Sequence, residues 1–167
     1  MDVVKAVDVV KAVDVVKVWT PRELADWAQA LMTDPPPSML RCWPRASATL
    51  IRIALEQTLV QFWTVATPLP EAPSAALLRS EPIPAAAAAL ARAPMRHQLL
   101  ALPHYADAEV VATVQSTWNG LSRAVHHHAY ELAPTLGELR GWHQQVTGLM
   151  DQLSVARATN PAAPTPP

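Results

Sequence analysis

Three consecutive histidines follow an arginine in the stretch RAVHHHAY, where Arg123 precedes His126, His127 and His128. An imidazole titrates near neutral pH, so it can take or give a proton during a reaction. A guanidinium stays charged and can hold a phosphate group through paired hydrogen bonds. One interpretation of this stretch is therefore acid/base chemistry on a phosphodiester, which needs no metal ion.

A metal site is the second interpretation of the histidine cluster. Ligands on one helix must lie one turn apart, as in H-x-x-x-H, so consecutive histidines cannot all face the same ion. Glu131, Glu138 or His143 could complete a site by folding back, but their spacing does not require it. We predict no metal and no other cofactor.

The third interpretation gives the cluster no chemistry at all. Protonated histidines are favoured near the C-terminus of a helix, and His and Tyr side chains can pack sideways with their polar tips in water. Arg123 is then an ordinary surface cation. Composition and spacing leave these three interpretations open.

The composition predicts an all-α protein with one core. The 167 residues carry a formal charge of -1, half of them are apolar, and only four are glycine. No part of the chain has the regularly spaced short strands of a β-sandwich. The length suits a single compact domain. We therefore predict a bundle of four to five helices.

Cysteine usage and hydropathy bear on the compartment. Cys42 is the only cysteine, so no disulfide can form within the chain, and a reducing cytoplasm is expected. The chain opens with an acidic and basic repeat rather than an export signal. The most apolar helical candidate, residues 46–66, carries Arg52 and Glu56 in its interior, which predicts that no segment spans a membrane.

Capping signals and apolar periodicity locate the helices. Thr20-Pro21-Arg22-Glu23 is a capping box that predicts a helix over residues 21–32, and a second box, Thr135 to Glu138, opens the last helix. Further helices are expected over residues 45–66, over 95–102 and from Asp107 onward. The apolar stripes of the three long helices are Ile51, Leu55, Thr58, Leu59 and Phe62; Val111, Val114, Trp118, Leu121 and Val125; and Leu139, Trp142, Val146, Leu149 and Leu153.

Low-complexity segments set the predicted domain organisation. Residues 1–19 contain the tandem repeat VDVVKA, which we expect to be a poorly ordered extension. Residues 20–154 form the single helical domain, interrupted by a flexible connection rich in proline and alanine at 67–94 that holds a short helix at 85–92. Residues 155–167 cannot bury enough apolar surface to fold, so we expect a disordered tail.

The six tryptophans divide into two groups by position. Three of them, Trp63, Trp118 and Trp142, sit on or beside the apolar stripes and are expected in the core. The other three belong to the N-terminal part and are expected to dock that segment onto the bundle; they are Trp19, Trp27 and Trp43.

Residues 123–130 read R-x-x-x-x-H-x-Y, with His128 in the histidine place and Tyr130 two residues later. This pattern resembles the signature of the HEPN superfamily (higher eukaryotes and prokaryotes nucleotide-binding), whose members are helical bundles with the motif late in the chain. The helix ASATLIRIALEQTLVQFW looks like the first long helix of such domains. The stretch WNGLSRAVHHHAYELAPTLGEL is similar to uncharacterised actinobacterial proteins. The resemblance covers residues 45–153.

The resemblance implies a metal-independent endoribonuclease of the toxin or defence type. In such proteins an arginine and a histidine from two subunits meet at a symmetric dimer interface. Arg123 would then hold the scissile phosphate, and His128 would be the general acid/base while a ribose 2′-OH attacks. Tyr130 would be the residue that an antitoxin protein modifies, and His127 a supporting residue. The implied partners are RNA, a second copy of the chain and an antitoxin.

Two features of the motif favour a noncatalytic alternative. Ala124 stands where the family commonly has asparagine, which removes a hydrogen-bonding group from the expected site. A continuous helix would also set Arg123 and His128 roughly 140° apart, so an active site would need a helix break or the partner subunit. The alternative is a HEPN-like dimerisation or nucleotide-binding module.

Overall fold

The computed structural model describes residues 19–66, 83–125 and 132–158. Six α-helices form in these ranges: α1 (Pro21–Thr33), α2 (Trp43–Trp63), α3 (Ile83–Ala91), α4 (Met95–Ala101), α5 (Ala108–Val125) and α6 (Leu136–Ala158). Short 3₁₀ turns at Pro37–Met39 and Leu102–His104 lie between helices, and these ranges contain no strand. The all-α prediction is confirmed, and the four long helices are the ones expected from the sequence.

Helix α2 is the central element of the bundle, since α1, α3, α5 and α6 all pack against it. Its predicted apolar stripe is buried along its full length, from Ile51 to Phe62. The one polar member, Thr58, satisfies its hydroxyl by donating to the Ala54 carbonyl at 2.7 Å. A threonine that bonds back to its own helix can be buried without an unpaired hydroxyl.

The boundaries of α2 and α3 differ slightly from the prediction. Helix α2 begins at Trp43 rather than at Arg45. Pro44 lies in its first turn, where a backbone N–H would have no partner within the helix, so the N–H that proline lacks is not missed. It ends at Trp63, three residues before the predicted end at Ala66. Helix α3 likewise begins two residues early, with a proline in its first turn. These shifts change no residue of the predicted stripes.

Helix α1 belongs to the bundle core, although the HEPN resemblance leaves it outside. Its predicted capping box is present: Glu23 N–H donates to Thr20 Oγ1 at 3.2 Å, and Thr20 N–H donates to Glu23 Oε2 at 2.9 Å. The face that packs on α2 and α6 consists of Leu24, Ala25, Ala28 and Met32, all buried. Small residues on this face allow the helix backbones to approach closely.

The prediction that the N-terminal tryptophans dock this segment was wrong for two of them. Trp27 is 53% exposed and Trp19 is 38% exposed. Trp27 immediately precedes Ala28, so its side chain is rotated by about 100° around the helix from Ala28 and lies beside the buried face rather than on it. Trp43 does pack against the core, partly buried at the start of α2.

Polar contacts between helices fix the arrangement of α1, α5 and α6. The Thr117 hydroxyl donates to Gln145 Oε1 at 2.8 Å and joins α5 to α6. Arg22 pairs with Asp151 and joins α1 to α6 on the surface.

The expected core tryptophans are placed as predicted, with Trp63 fully buried and both Trp118 and Trp142 partly buried against the core.

The ends of the predicted domain are partly described. Helix α6 continues to Ala158, four residues past the expected boundary at 154. The repeat at residues 1–18, the segment 67–82 and the last residues 159–167 lie outside the described ranges. None of the helices in the described ranges is both long and apolar enough to cross a bilayer.

Candidate functional site

Arg123 lies in the last turn of α5, and its side chain is exposed. It lines an open groove of about 540 Å³ between the end of α5 and the start of α6. The other described residues around this groove are Gly120, Ala124, Leu132, Ala133, Pro134, Thr135, Glu138 and Trp142. A guanidinium in such a groove can bind an anionic group from solution without any rearrangement of the core.

Helices α5 and α6 approach each other closely at one wall of the groove, where Gly120 contacts Trp142. A Cβ atom added to Gly120 would lie 2.8 Å from the indole nitrogen of Trp142 and 2.9 Å from two of its carbons. Real Cβ atoms do not approach other heavy atoms this closely, so any larger residue at position 120 would require the Trp142 indole to shift. The missing side chain therefore lets the Trp142 indole lie directly on α5, one turn before Arg123.

Replacing Gly120 by alanine is expected to lower the free energy of unfolding by about 1–3 kcal/mol, the usual effect of overpacking. Gly148→Ala is the matched control, since Gly148 lies within α6 and no described residue comes within 4 Å of its added Cβ. Alanine is the better helix former by about 0.8–1 kcal/mol, so this variant should be stabilised. Urea unfolding followed by circular dichroism measures both. Equal effects of the two changes would contradict the contact with Trp142.

Glu138 brings a negative charge to the same groove. The second predicted capping box is present: Thr135 N–H and Oγ1 both donate to Glu138 Oε2 at 2.8 Å, and Glu138 N–H donates to Thr135 Oγ1 at 3.2 Å. The hydrogen bonds from Thr135 hold the pKa of Glu138 below its usual value, and the positive charge of Arg123 lowers it further. Glu138 is therefore ionised at neutral pH and offsets part of the Arg123 charge.

Thr135→Ala is expected to destabilise the fold by about 0.5–2 kcal/mol, because α6 loses its N-cap. The pKa of Glu138 should then rise part of the way toward its usual value, since the hydrogen bond from the Thr135 hydroxyl is gone while the backbone N–H of residue 135 can still donate. In the wild type, a lowered folded-state pKa means that Glu138 adds stability above its unfolded pKa and loses this contribution as pH falls through the folded pKa. Carboxyl NMR titration tests the shift, and an unchanged pKa in the variant would contradict the assignment.

The remaining residues of the motif lie outside the described part of the chain. His126, His127, His128 and Tyr130 all fall in the range 126–131, between the end of α5 and Leu132. The structure therefore does not bring Arg123 and the histidines together or hold them apart.

Ala124, next to Arg123 in the motif, is described. It is half-buried and packs against the hydrophobic core while also touching the groove. A methyl group suits this partly apolar position, and it offers no hydrogen bond to a ligand in the groove. The alanine at this position therefore has a local packing explanation.

The described residues contain no group of three or more His, Cys, Asp and Glu side chains that could hold a metal ion. Two of the side chains that the metal interpretation would recruit make other contacts. Nε2 of His143 lies 3.1 Å from the Ala25 carbonyl, which ties α6 to α1. Glu138 accepts its hydrogen bonds from Thr135.

Sequence reasoning missed two members of the groove. The sequence predicts Trp142 in the core, which agrees with its partial burial, but does not predict its contact with Gly120. The sequence predicts Glu138 as a capping residue and as a candidate metal ligand, but not as the carboxylate beside Arg123. The signal was present, because a capping box places its glutamate in the first turn of α6, directly after the loop that follows the motif.

Comparisons of this chain with protein-family models, with curated proteins and with solved structures find no match. The groove must therefore be interpreted through its own residues. An exposed arginine, an indole wall and a nearby carboxylate can bind a phosphate group beside a planar ring, with the carboxylate limiting how strongly an anion is held.

Proposed function

We propose that this chain is a HEPN-like, metal-independent endoribonuclease that acts as a toxin or defence component. The observation that carries the proposal is the exposed Arg123 guanidinium in an open groove at the end of α5. The chain passes from this groove directly into the three histidines of the R-x-x-x-x-H-x-Y pattern. The helical fold and the late position of the motif also agree with the resemblance.

In the proposed reaction, His128 takes the proton from a ribose 2′-OH, and the 2′-oxygen attacks the neighbouring phosphorus. The bond from phosphorus to the 5′-oxygen then breaks. The leaving 5′-oxygen takes a proton from the His128 imidazolium, which acts as the general acid. Arg123 holds the phosphate oxygens, where negative charge builds up in the transition state. The products are a 2′,3′-cyclic phosphate end and a 5′-hydroxyl end.

The proposed active form is a homodimer in the cytoplasm. A continuous helix would direct Arg123 and His128 roughly 140° apart, so the arginine of one subunit would meet the histidine of its partner. His127 would support the site. Tyr130 would be the residue that an antitoxin modifies. The added group would block the active site with its charge and bulk.

The experiment that tests this function is incubation of the wild-type protein with end-labelled RNA in EDTA. The expected result is cutting, with products that carry 2′,3′-cyclic phosphate ends. Because EDTA removes metal ions, contaminating metal-dependent nucleases cannot contribute. A protein that leaves the RNA intact at micromolar concentration would overturn the nuclease proposal.

A noncatalytic HEPN-like dimerisation or nucleotide-binding module is the second candidate. Two observations favour it: Ala124 offers no hydrogen bond in the groove, and the ionised Glu138 offsets the Arg123 charge. This candidate predicts that the protein binds a nucleotide or RNA without cutting it. Glu138→Gln should then strengthen binding, because it removes the competing charge while it keeps the shape of the side chain.

A further inference from the structure

Trp19 and Trp27 form an exposed aromatic corner at the start of α1. Their ring centroids are 6.0 Å apart and their planes meet at 89°. Among the described residues, the carboxylates of Glu23 and Asp26 complete the lining of an open pocket of about 350 Å³. We call this pocket the aromatic corner.

The aromatic corner is not needed to hold the bundle together. The opposite face of α1, formed by small and aliphatic residues, makes the contacts with α2 and α6. Trp27 leaves 53% of its surface in water and Trp19 leaves 38%. Two large indoles side by side at this exposure form an apolar patch of the kind that marks a binding surface.

The chemistry of the corner selects a cation. The faces of an indole carry negative electrostatic potential, so a positive group in the angle between two perpendicular rings is attracted by both. Asp26, exposed on the same side of α1, adds a full negative charge. The N-terminus of α1 would favour an anion, but the Glu23 carboxylate already occupies it by accepting hydrogen bonds from Thr20.

We propose that the aromatic corner binds an arginine side chain of a basic peptide segment on a partner protein. A planar guanidinium can stack on one indole while its N–H groups point to a carboxylate, which a lysine ammonium cannot do equally well. A nucleic acid is disfavoured, because its phosphates would meet two carboxylates. This proposal does not depend on the ribonuclease proposal, since the corner lies on α1 and Arg123 on α5.

The test is an NMR titration of the full chain that follows the six indole N–H signals. The probe is a short peptide of alternating arginine and glycine, and its citrulline twin is the neutral control. We expect the arginine peptide to shift the signals of Trp19 and Trp27, which Trp19→Leu and Trp27→Leu identify by loss of one signal each. The citrulline peptide should shift neither.

Variants separate the aromatic from the ionic contribution. Trp27→Leu should weaken binding about five-fold or more, the equivalent of about 1 kcal/mol for a cation over an exposed ring. Asp26→Asn should weaken it as well, whereas Asp34→Asn, with the same charge change at the other end of α1, should leave it unchanged. Equal shifts by both peptides, no shift at millimolar arginine peptide, or equal effects of the two aspartate variants would overturn the proposal.

Discussion

Ile51→Ala is expected to lower the free energy of unfolding by about 2–5 kcal/mol, the range for deleting a large buried aliphatic side chain. Ile51 lies on the central helix α2 and is fully buried, with no exposed surface. The change removes apolar contacts and leaves a cavity that the packed neighbours α1, α5 and α6 cannot fully close. Denaturation by guanidinium chloride, followed by circular dichroism, gives the difference.

Ile53→Ala is the matched control for this prediction. It makes the same chemical change on the same helix, two residues away, but Ile53 is 37% exposed. We expect a loss of under about 1 kcal/mol, because much of its side chain is already in water. Similar losses for the two variants would mean that the assigned inner face of α2 is wrong.

Arg123→Ala is expected to lower the rate of RNA cleavage by about 100- to 1,000-fold, the usual effect of removing one group that stabilises transition-state charge. Arg123→Lys should restore only part of the rate, because an ammonium cannot make the paired hydrogen bonds of a guanidinium to phosphate. Since Arg123 is exposed, neither change should alter stability by more than about 0.5 kcal/mol. Initial rates on labelled RNA, measured in EDTA, give the comparison.

Arg140→Ala controls for the loss of positive charge in this experiment. Arg140 is exposed on α6 and does not line the groove, yet its replacement changes the net charge by the same amount. We expect a cleavage rate within about two-fold of the wild type, since a charge that does not touch the substrate is screened by salt. If both arginine variants lose activity equally, Arg123 has no special place in the reaction.

The fold was predictable because its signals are local and repeated. The stripe from Ile51 to Phe62 recurs at three- and four-residue spacing, and such spacing can bury only one helix face. The Thr20 and Thr135 capping boxes each placed a helix start to within one residue. These features depend only on residues close together in the chain, so they can be predicted without knowledge of the tertiary contacts.

The tertiary details could not be predicted in the same way. A large apolar residue such as Trp27 is expected to pack inside, but its exposure depends on which side of α1 faces α2. The Glu138 carboxylate reaches the Arg123 groove because α5 and α6 lie side by side. The spacing of residues along one helix does not give the exposure of Trp27. It places Glu138 in the first turn of α6 but does not show that Arg123 lies beside it.

The central claim is that Arg123 and His128 belong to one catalytic site, and a double-mutant cycle tests it most directly. RNA cleavage in EDTA is measured for the wild type, Arg123→Ala, His128→Ala and the double variant, each with unchanged helicity. Groups that act as a unit give strongly non-additive losses. We predict that the double variant is about as slow as the slower single variant. Losses that multiply, or a wild type that does not cut RNA, would contradict the claim.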